Sequence, residues 1–336
     1  MKIIVDAFGG DNAPLEVLRG CIMARDQLNV NIILTGDKTK IKKIAQREQL
    51  DISGFEIIHT EEVFDIHAHP QTILKEGKNT SLAVGLQALR DGKGDAFVSA
   101  GSTGGLVTGA TFMAKRIKGI KRAALAPMLP TKKGRKMLLD AGANAECRPE
   151  MLVQFAIMGS AYMKCVKGIP NPKVGLLNIG AEETKGRELE LETYQLLQKA
   201  PVNFAGNIEA REMPFGLFDV VVCDGFSGNI ALKLYEGMGA MFKDELKQWF
   251  SGFPGKLSAL LVLKEIKEFQ EQMDYKSEGG AILLGIARPV IKAHGSSDAT
   301  AFFNAIRQAK KCVDGNMISV ITDMLKSMKS AEETTE

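Results

Sequence analysis

The sequence predicts an α/β fold with a mostly parallel sheet and helices on both faces. Short apolar runs alternate with segments of helical length through most of the chain, the pattern that strand–helix–strand crossovers impose. Several runs are apolar at successive positions, as strands buried on both faces require. The runs also stop repeatedly in Gly, Asp, Asn, Ser or Thr just before a helix, which is the chemistry of ligand-binding edges in open α/β sheets.

The elements follow in order. Ile3, Ile4 and Val5 form a buried strand ahead of D6-A-F-G-G-D-N-A-P14, and Pro14 suits the first turn of a helix reaching about Gln27. Residues 30–36 are a second strand, a Lys-rich helix follows, and 55–59 are a third strand. Residues 60–80 read as polar and irregular. Residues 81–90 are a helix, 95–100 a strand, and G101-S-T-G-G105 opens another helix. Further on, 135–141, 174–180, 202–206 and 219–223 are strands, with helices over 150–166 and 186–200. Residues 235–274 read as a protruding helical hairpin broken by S-G-F-P-G at 251–255. No fixed-period repeat or low-complexity linker divides the chain, so 1–330 reads as one domain and 331–336 as a disordered tail.

Composition narrows the class. The chain has 336 residues, 45% hydrophobic and 25% charged, ordinary for a globular protein with a substantial core. A net charge of +3 is too small to argue for nucleic acid. The five cysteines show neither C-x-x-C nor metal-ligand spacing, and the opening M-K-I-I-V-D is strand-like, so reduced thiols and a cytoplasmic location are expected. No apolar run approaches the ~20 residues of a membrane span.

Five strand ends concentrate small and polar residues: D6–D11, S99–G105, L139–N144, N178–G186 and D224–N229. Any one of them is as readily turn chemistry as a site, but five on one sheet edge would converge in a single cleft. The S99–G105 loop offers amides and hydroxyls at a helix start, as a phosphate requires. It matches neither the Walker nor the dinucleotide fingerprint, which favours a free anion or small phosphate over a nucleotide. Lys185 is the candidate cation, set against the common reading of a solvated surface charge, and Asn229 offers a second donor from the neighbouring loop. His67 and His69 have no third ligand close in sequence and read as a solvated loop. Cys223, inside an apolar strand, reads as inert packing, and no G-x-S-x-G elbow is present. Leu257, Leu260, Leu261 and Leu263 belong to an apolar block that is wide for a surface helix. A partner-subunit contact and an interfacial helix in anionic lipid both remain open for it.

Six ordered blocks, D6–P14, S99–G105, L138–N144, V174–G186, D219–K233 and P289–S297, together resemble the bacterial phosphate acyltransferases of phospholipid synthesis, the PlsX family. The resemblance covers the chain from the first strand to about Ile306. It implies a Rossmann-like three-layer α/β/α sandwich related to phosphotransacetylases and isocitrate-type dehydrogenases. It implies a homodimer with no cofactor and no metal, associated peripherally with the inner face of the cell membrane. The implied reaction moves a fatty acyl group from acyl carrier protein to inorganic phosphate. A membrane-bound glycerol-3-phosphate acyltransferase would consume the acyl phosphate on the way to phosphatidic acid. The family's catalytic positions fall on Lys185 and Asn229. Around them, the strand-end loops nominate Asp6, Gly9, Gly10, Asp11, Gly101, Ser102, Thr103, Gly104, Asn144, Asn178, Glu183, Asp224, Ser227 and Gly228 for substrate or phosphate binding. Phe8 and Ser102 depart from the family's usual Met and Asn, and 75–81 lacks the arginines common there.

The expected mechanism is direct displacement, phosphate attacking the thioester without an acyl-enzyme. Lys115, Arg116, Lys118, Lys121 and Arg122 are the candidate face for an acidic carrier. The competing functions are a phosphotransacetylase acting on short-chain acyl-CoA, an isocitrate-type dehydrogenase, and a non-catalytic membrane scaffold that binds carrier protein. The dehydrogenase is disfavoured because neither metal-binding aspartates nor a nucleotide fingerprint is evident.

Overall fold

The computed structural model describes residues 1–250, 262, 264 and 278–333, without the side chains of 329–333. Its strands are β1 (Lys2–Asp6), β2 (Asn31–Gly36), β3 (Glu56–His59), β4 (Ala96–Ser99), β5 (Ala124–Ala126), β6 (Met128–Thr131), β7 (Gly134–Leu139), β8 (Lys173–Asn178), β9 (Asn203–Glu209), β10 (Val220–Val222), β11 (Gly280–Leu284) and β12 (Val290–Ala293). The helices used below are α1 (Leu15–Leu28), α2 (Lys38–Arg47), α3 (Ser81–Arg90), α4 (Thr103–Gly109), α5 (Pro149–Cys165), α6 (Glu188–Lys199), α7 (Gly225–Trp249), α8 (Ala299–Asp314) and α9 (Met317–Glu333).

The strands form two sheets, ordered β3-β2-β1-β4-β12-β11-β5 and β6-β7-β10-β8-β9. In the first, β1, β2, β3, β4 and β12 are parallel, and β11 is antiparallel to β12 and β5. In the second, β7, β10, β8 and β9 are parallel and β6 is antiparallel to β7. The apolar runs are buried as expected: Ile3, Ile4, Val5, Val220 and Val222 have no exposed surface. One cluster of buried side chains reaches through both sheets, with Phe155 and Tyr162 of α5 and Phe302 of α8 among its largest members.

The join between the sheets decides where sites can lie. Pro127 separates β5 from β6, and its missing N–H interrupts the ladder. The chain then runs antiparallel to β7: Ala141 N–H donates to Leu125 O (2.9 Å) and Leu138 N–H to Pro127 O (3.1 Å). β5 runs in the same direction as β12, so the parallel strands of the second sheet oppose those of the first. Their carboxyl ends therefore lie at opposite edges. The expectation of five loops on one edge is corrected: the loops after β1 and β4 lie at one edge, and those after β7, β8 and β10 at the other.

The structure adds four strands (β5, β6, β11, β12) and two helices (α8, α9) that the periodicity reading leaves unassigned. β5 and β6 are Ala- and Pro-rich, with low strand propensity, and they form because buried partners pair with them. Residues 60–80, read as irregular, contain short 3₁₀ turns at Pro70–Leu74 and Glu76–Asn79 that bury Ile73. Of the tail expected over 331–336, residues 331–333 are the end of α9, and 334–336 lie outside the described residues. Residues 235–249 are the second half of α7, whereas Leu257, Leu260, Leu261 and Leu263 lie outside the described residues. Among the described residues, no helix is long and apolar enough to cross a membrane.

Candidate active site

At the first edge, Asp6 ends β1 fully buried. One carboxylate oxygen accepts the Phe8 N–H (3.2 Å) and the other the Ser99 hydroxyl (2.8 Å), while Ser99 Oγ accepts the Gly101 N–H (3.0 Å). Burial raises the Asp6 pKa above its ordinary value, and the hydroxyl and amide donors oppose that rise. Ser102 caps α4 through the Gly105 N–H (3.3 Å), and Thr103 is exposed beside it. The loop after β12 is laced to the loop carrying Gly9, Gly10 and Asp11: Asp11 N–H donates to Gly295 O (2.8 Å), and Asn12 Nδ2 to Ser296 O and Ser297 O (3.3 and 3.2 Å). Lys292, on β12, points its ammonium at Ala293 O (2.5 Å) and Ala100 O (3.4 Å). Burial pushes its pKa down to about 8, against the opposing pull of Asp11. Residue-by-residue reading of the sequence does not single out Lys292; its only signal is its place in the P289–S297 block.

At the second edge, Asp140 follows β7 with no exposed surface. Its Oδ1 accepts the N–H groups of Leu125 (2.9 Å) and Ala143 (3.1 Å), and its Oδ2 accepts the Asn144 N–H (2.7 Å) and Nδ2 (2.9 Å). Burial still raises its pKa. Asp224 follows β10 and caps α7 by accepting the Ser227 N–H (2.7 Å) and hydroxyl (3.1 Å), and it also accepts from Arg187 Nη2 (2.6 Å). The start of α7 sits directly on the Asp140–Asn144 loop, with Gly225 N–H donating to Asn144 O (2.8 Å). A Cβ on Gly228 would lie 1.9 Å from Asp140 O, so this seat exists only because residue 228 has no side chain. The seating brings Asn229 against Gly142, whose hypothetical Cβ would lie 3.3 Å from the Asn229 Cγ.

The loop after β8 completes this edge. Asn178 is buried and closes the loop by donating from Nδ2 to Lys185 O (3.0 Å), while its Oδ1 accepts the Ile179 N–H (2.8 Å). Asn207 Nδ2 holds Glu182 O (2.8 Å). Lys185 is exposed, and its aliphatic stem lies over Gly180. Glu183 lies beside the Tyr194 phenol. Among the described residues, neither the Lys185 ammonium nor the Asn229 carboxamide is held in a hydrogen bond, and neither is among those with further partners.

The structure thus brings Asn144, Asp224, Ser227, Gly228 and Asn229 together, with Asn178, Glu183 and Lys185 on the loop of the adjoining strand β8. Asn144, Asn178 and Asp224 spend their polar atoms on protein partners and shape the loops that carry Asn229 and Lys185. Asp6, Gly9, Gly10, Asp11, Gly101, Ser102, Thr103 and Gly104 gather at the far edge. Arg187, which sequence reading missed, clamps Asp224 to Glu190. Cys223 is buried, with its thiol pKa raised well above the ordinary value by burial, as expected for packing. His69 accepts the Gln71 N–H (3.4 Å) and caps a turn.

Comparison with solved structures gives the class first. A phosphotransacetylase from Streptococcus pyogenes superposes with a TM-score of 0.65 at 17% identity, covering 93% of this chain and 94% of the other. The EutD phosphotransacetylase from Staphylococcus aureus superposes with a TM-score of 0.62 at 20% identity and the same coverage. At these identities the likeness is one of fold, and it places the chain among Rossmann-like α/β sandwiches of the phosphotransacetylase type.

Sequence comparison is closer. The family model described as "Fatty acid synthesis protein" matches residues 1–320. The phosphate acyltransferase of Thermoanaerobacterium thermosaccharolyticum is 47% identical over 322 residues, 96% of each chain. That of Desulforamulus reducens is 44% identical over 341 residues, covering 99% of this chain and all of its own. The chain belongs to this family of phosphate acyltransferases and is an acyltransferase.

Proposed function

We propose that the enzyme moves a fatty acyl group from acyl carrier protein to inorganic phosphate. The observation that carries this reading, beyond family membership, is the pair of unengaged donors, Lys185 and Asn229, on adjoining loops of the second edge. A phosphate oxygen attacks the thioester carbonyl, the tetrahedral oxyanion draws on the ammonium and the carboxamide, and the C–S bond breaks. The thiolate of the carrier's arm departs and receives, through water, the proton that hydrogen phosphate gives up, leaving acyl phosphate and the free thiol. Phosphate is already ionised near neutral pH, so no strong base is required.

The opposed edges support a homodimer in this reading. Within one copy, the loops bearing Asp6, Asp11 and Gly101–Gly104 diverge from those bearing Lys185 and Asn229. If both sets bind phosphate and thioester, one copy must supply one edge and its partner the other. Acyl phosphate then passes to a membrane-bound glycerol-3-phosphate acyltransferase for phosphatidic acid synthesis. The enzyme would work at the cytoplasmic face of an anionic membrane, with Leu257, Leu260, Leu261 and Leu263 as the contact.

The test is to incubate the enzyme with acyl carrier protein thioester, with and without phosphate, and trap acyl phosphate as hydroxamate. Phosphate-dependent hydroxamate is expected. Activity confined to short-chain acyl-CoA would make the enzyme a phosphotransacetylase, and carrier binding without thiol release would make it a scaffold.

A further inference from the structure

A cavity of about 730 Å³ opens beside the second edge, lined by Arg116, Lys121, Arg122 and Arg148 around Ile120, Glu146, Cys147 and Met151. Cations outnumber carboxylates in this lining by four to one. The basic loop is held in place by Gln154 of α5, which accepts the Lys121 N–H (2.8 Å) and donates to Gly119 O (2.9 Å). Arg116 donates to Lys121 O and so closes the loop on itself. The Lys121–Glu150 contact is long (3.8 Å) and exposed, so it neutralises little. Cys147 is less acidic than an ordinary thiol, its pKa pushed up to about 12, mainly by burial with Asp140 adding to it. It therefore contributes a neutral, apolar wall. The cavity adjoins the seat of α7, the helix that carries Asn229: the Cys147 thiol contacts Asn144 O (3.7 Å), the same carbonyl that accepts the Gly225 N–H at the start of α7.

We propose that this cavity seats the 4′-phosphate of a 4′-phosphopantetheine arm, whose thioester end then lies at Lys185 and Asn229. Its size falls within the range of ligand sites, roughly 300–1,000 Å³, and far exceeds what a free oxyanion fills. Guanidinium forks match phosphate oxygens in bidentate geometry, and Ile120 and Met151 supply an apolar wall for the pantetheine chain. The inference rests on a thioester donor, and the arm has two sources, a carrier protein or coenzyme A.

The full-length enzyme is compared with the double variant Arg122→Gln, Arg148→Gln. The donors are acyl carrier protein thioester, acyl-CoA and acyl-pantetheine, which lacks the phosphate. The wild type should favour the two phosphate-bearing donors over acyl-pantetheine by at least about tenfold in kcat/KM. The variant should lose that preference through a rise in donor KM of about tenfold, with acyl-pantetheine turnover and the KM for inorganic phosphate unchanged. If acyl-CoA and carrier thioester lose equally, the arm alone is read; if only the carrier loses, the cavity reads the carrier surface and the proposal fails. An unchanged preference, an equal loss on acyl-pantetheine, or a rise confined to the phosphate KM also overturns it. Binding of carrier protein with and without its prosthetic arm gives an independent readout. If the wild type makes no acyl phosphate from any donor, the catalytic reading fails, but a preference for the armed carrier that the variant abolishes still supports the cavity.

Discussion

The two carboxyl edges are built from the same residue types yet differ in what remains available. At the first edge, Asp6, Ser99 and Gly101 bond one another, and a largely buried Lys292 is spent on two backbone carbonyls. At the second, the buried carboxylates Asp140 and Asp224 are answered by backbone amides, Asn144, Ser227 and Arg187, leaving an exposed Lys185 and a half-buried Asn229 unengaged. A polar group bound to the protein can only shape a site, and a chemical step requires donors still able to meet charge as it develops. Under the proposed function, the oxyanion chemistry falls to the second edge, and any part the first edge plays depends on a partner copy.

The largest expected effect is on Lys185. Lys185→Ala should reduce turnover by about 100-fold or more, the usual scale for losing an oxyanion donor, in a protein with an unchanged circular-dichroism spectrum. Near-normal hydroxamate formation would remove Lys185 from the chemistry and the contrast between the edges with it.

Mixing copies tests whether the edges cooperate. An Asp11→Ala variant should be strongly impaired if the first edge shares the reaction. Refolding it together with Lys185→Ala should then recover about one quarter of wild-type turnover, because half the dimers carry one intact composite site. No recovery from two impaired variants would mean that each edge acts within its own copy or that the first edge is structural.

A smaller effect is expected at the seat of α7. Gly228→Ala forces a methyl group into Asp140 O and should cost about 1–3 kcal/mol of stability, read as a lowered melting temperature.

The smallest effect depends on pH and belongs to the first edge. The Lys292 pKa falls to about 8 in the folded chain from the ordinary lysine value of 10.5, because burial penalises its charge. The unfolded chain binds more protons than the folded one between those values, so stability rises with pH across that window. Below about pH 8 both states are protonated and the penalty is present in full. Relative to Lys292→Met, the wild type should therefore gain stability from pH 8 towards 10, by at most about 1.4 kcal/mol per pH unit. A flat difference in melting temperature over that range would place the ammonium in contact with water.

Much of the frame was legible in the residues. The runs at Ile3–Val5 and Val220–Val222 are apolar at every position, so burial on both faces followed without tertiary information. Lys185 and Asn229 stood out as donors at strand ends, and the family resemblance singled them out because its catalytic positions fall on them. Arg187 and Lys292 escaped notice because each acquires its meaning from a partner far away in sequence, Asp224 for one and Ala100 for the other. β5 and β6 escaped because Ala and Pro carry little strand signal, and only pairing with β11 and β7 makes them strands.

Local chemistry therefore determined the α/β class, the strand ends that carry polar loops, and the candidate donors, since apolar periodicity and turn residues act over a few positions. The tertiary structure decided which loops meet. The chain turns at Pro127 and β7 pairs in reverse, so the parallel strands of one sheet run against those of the other. Strand direction across a sheet is set by long-range pairing, which no local pattern encodes, and that pairing split one expected cleft into two opposed edges.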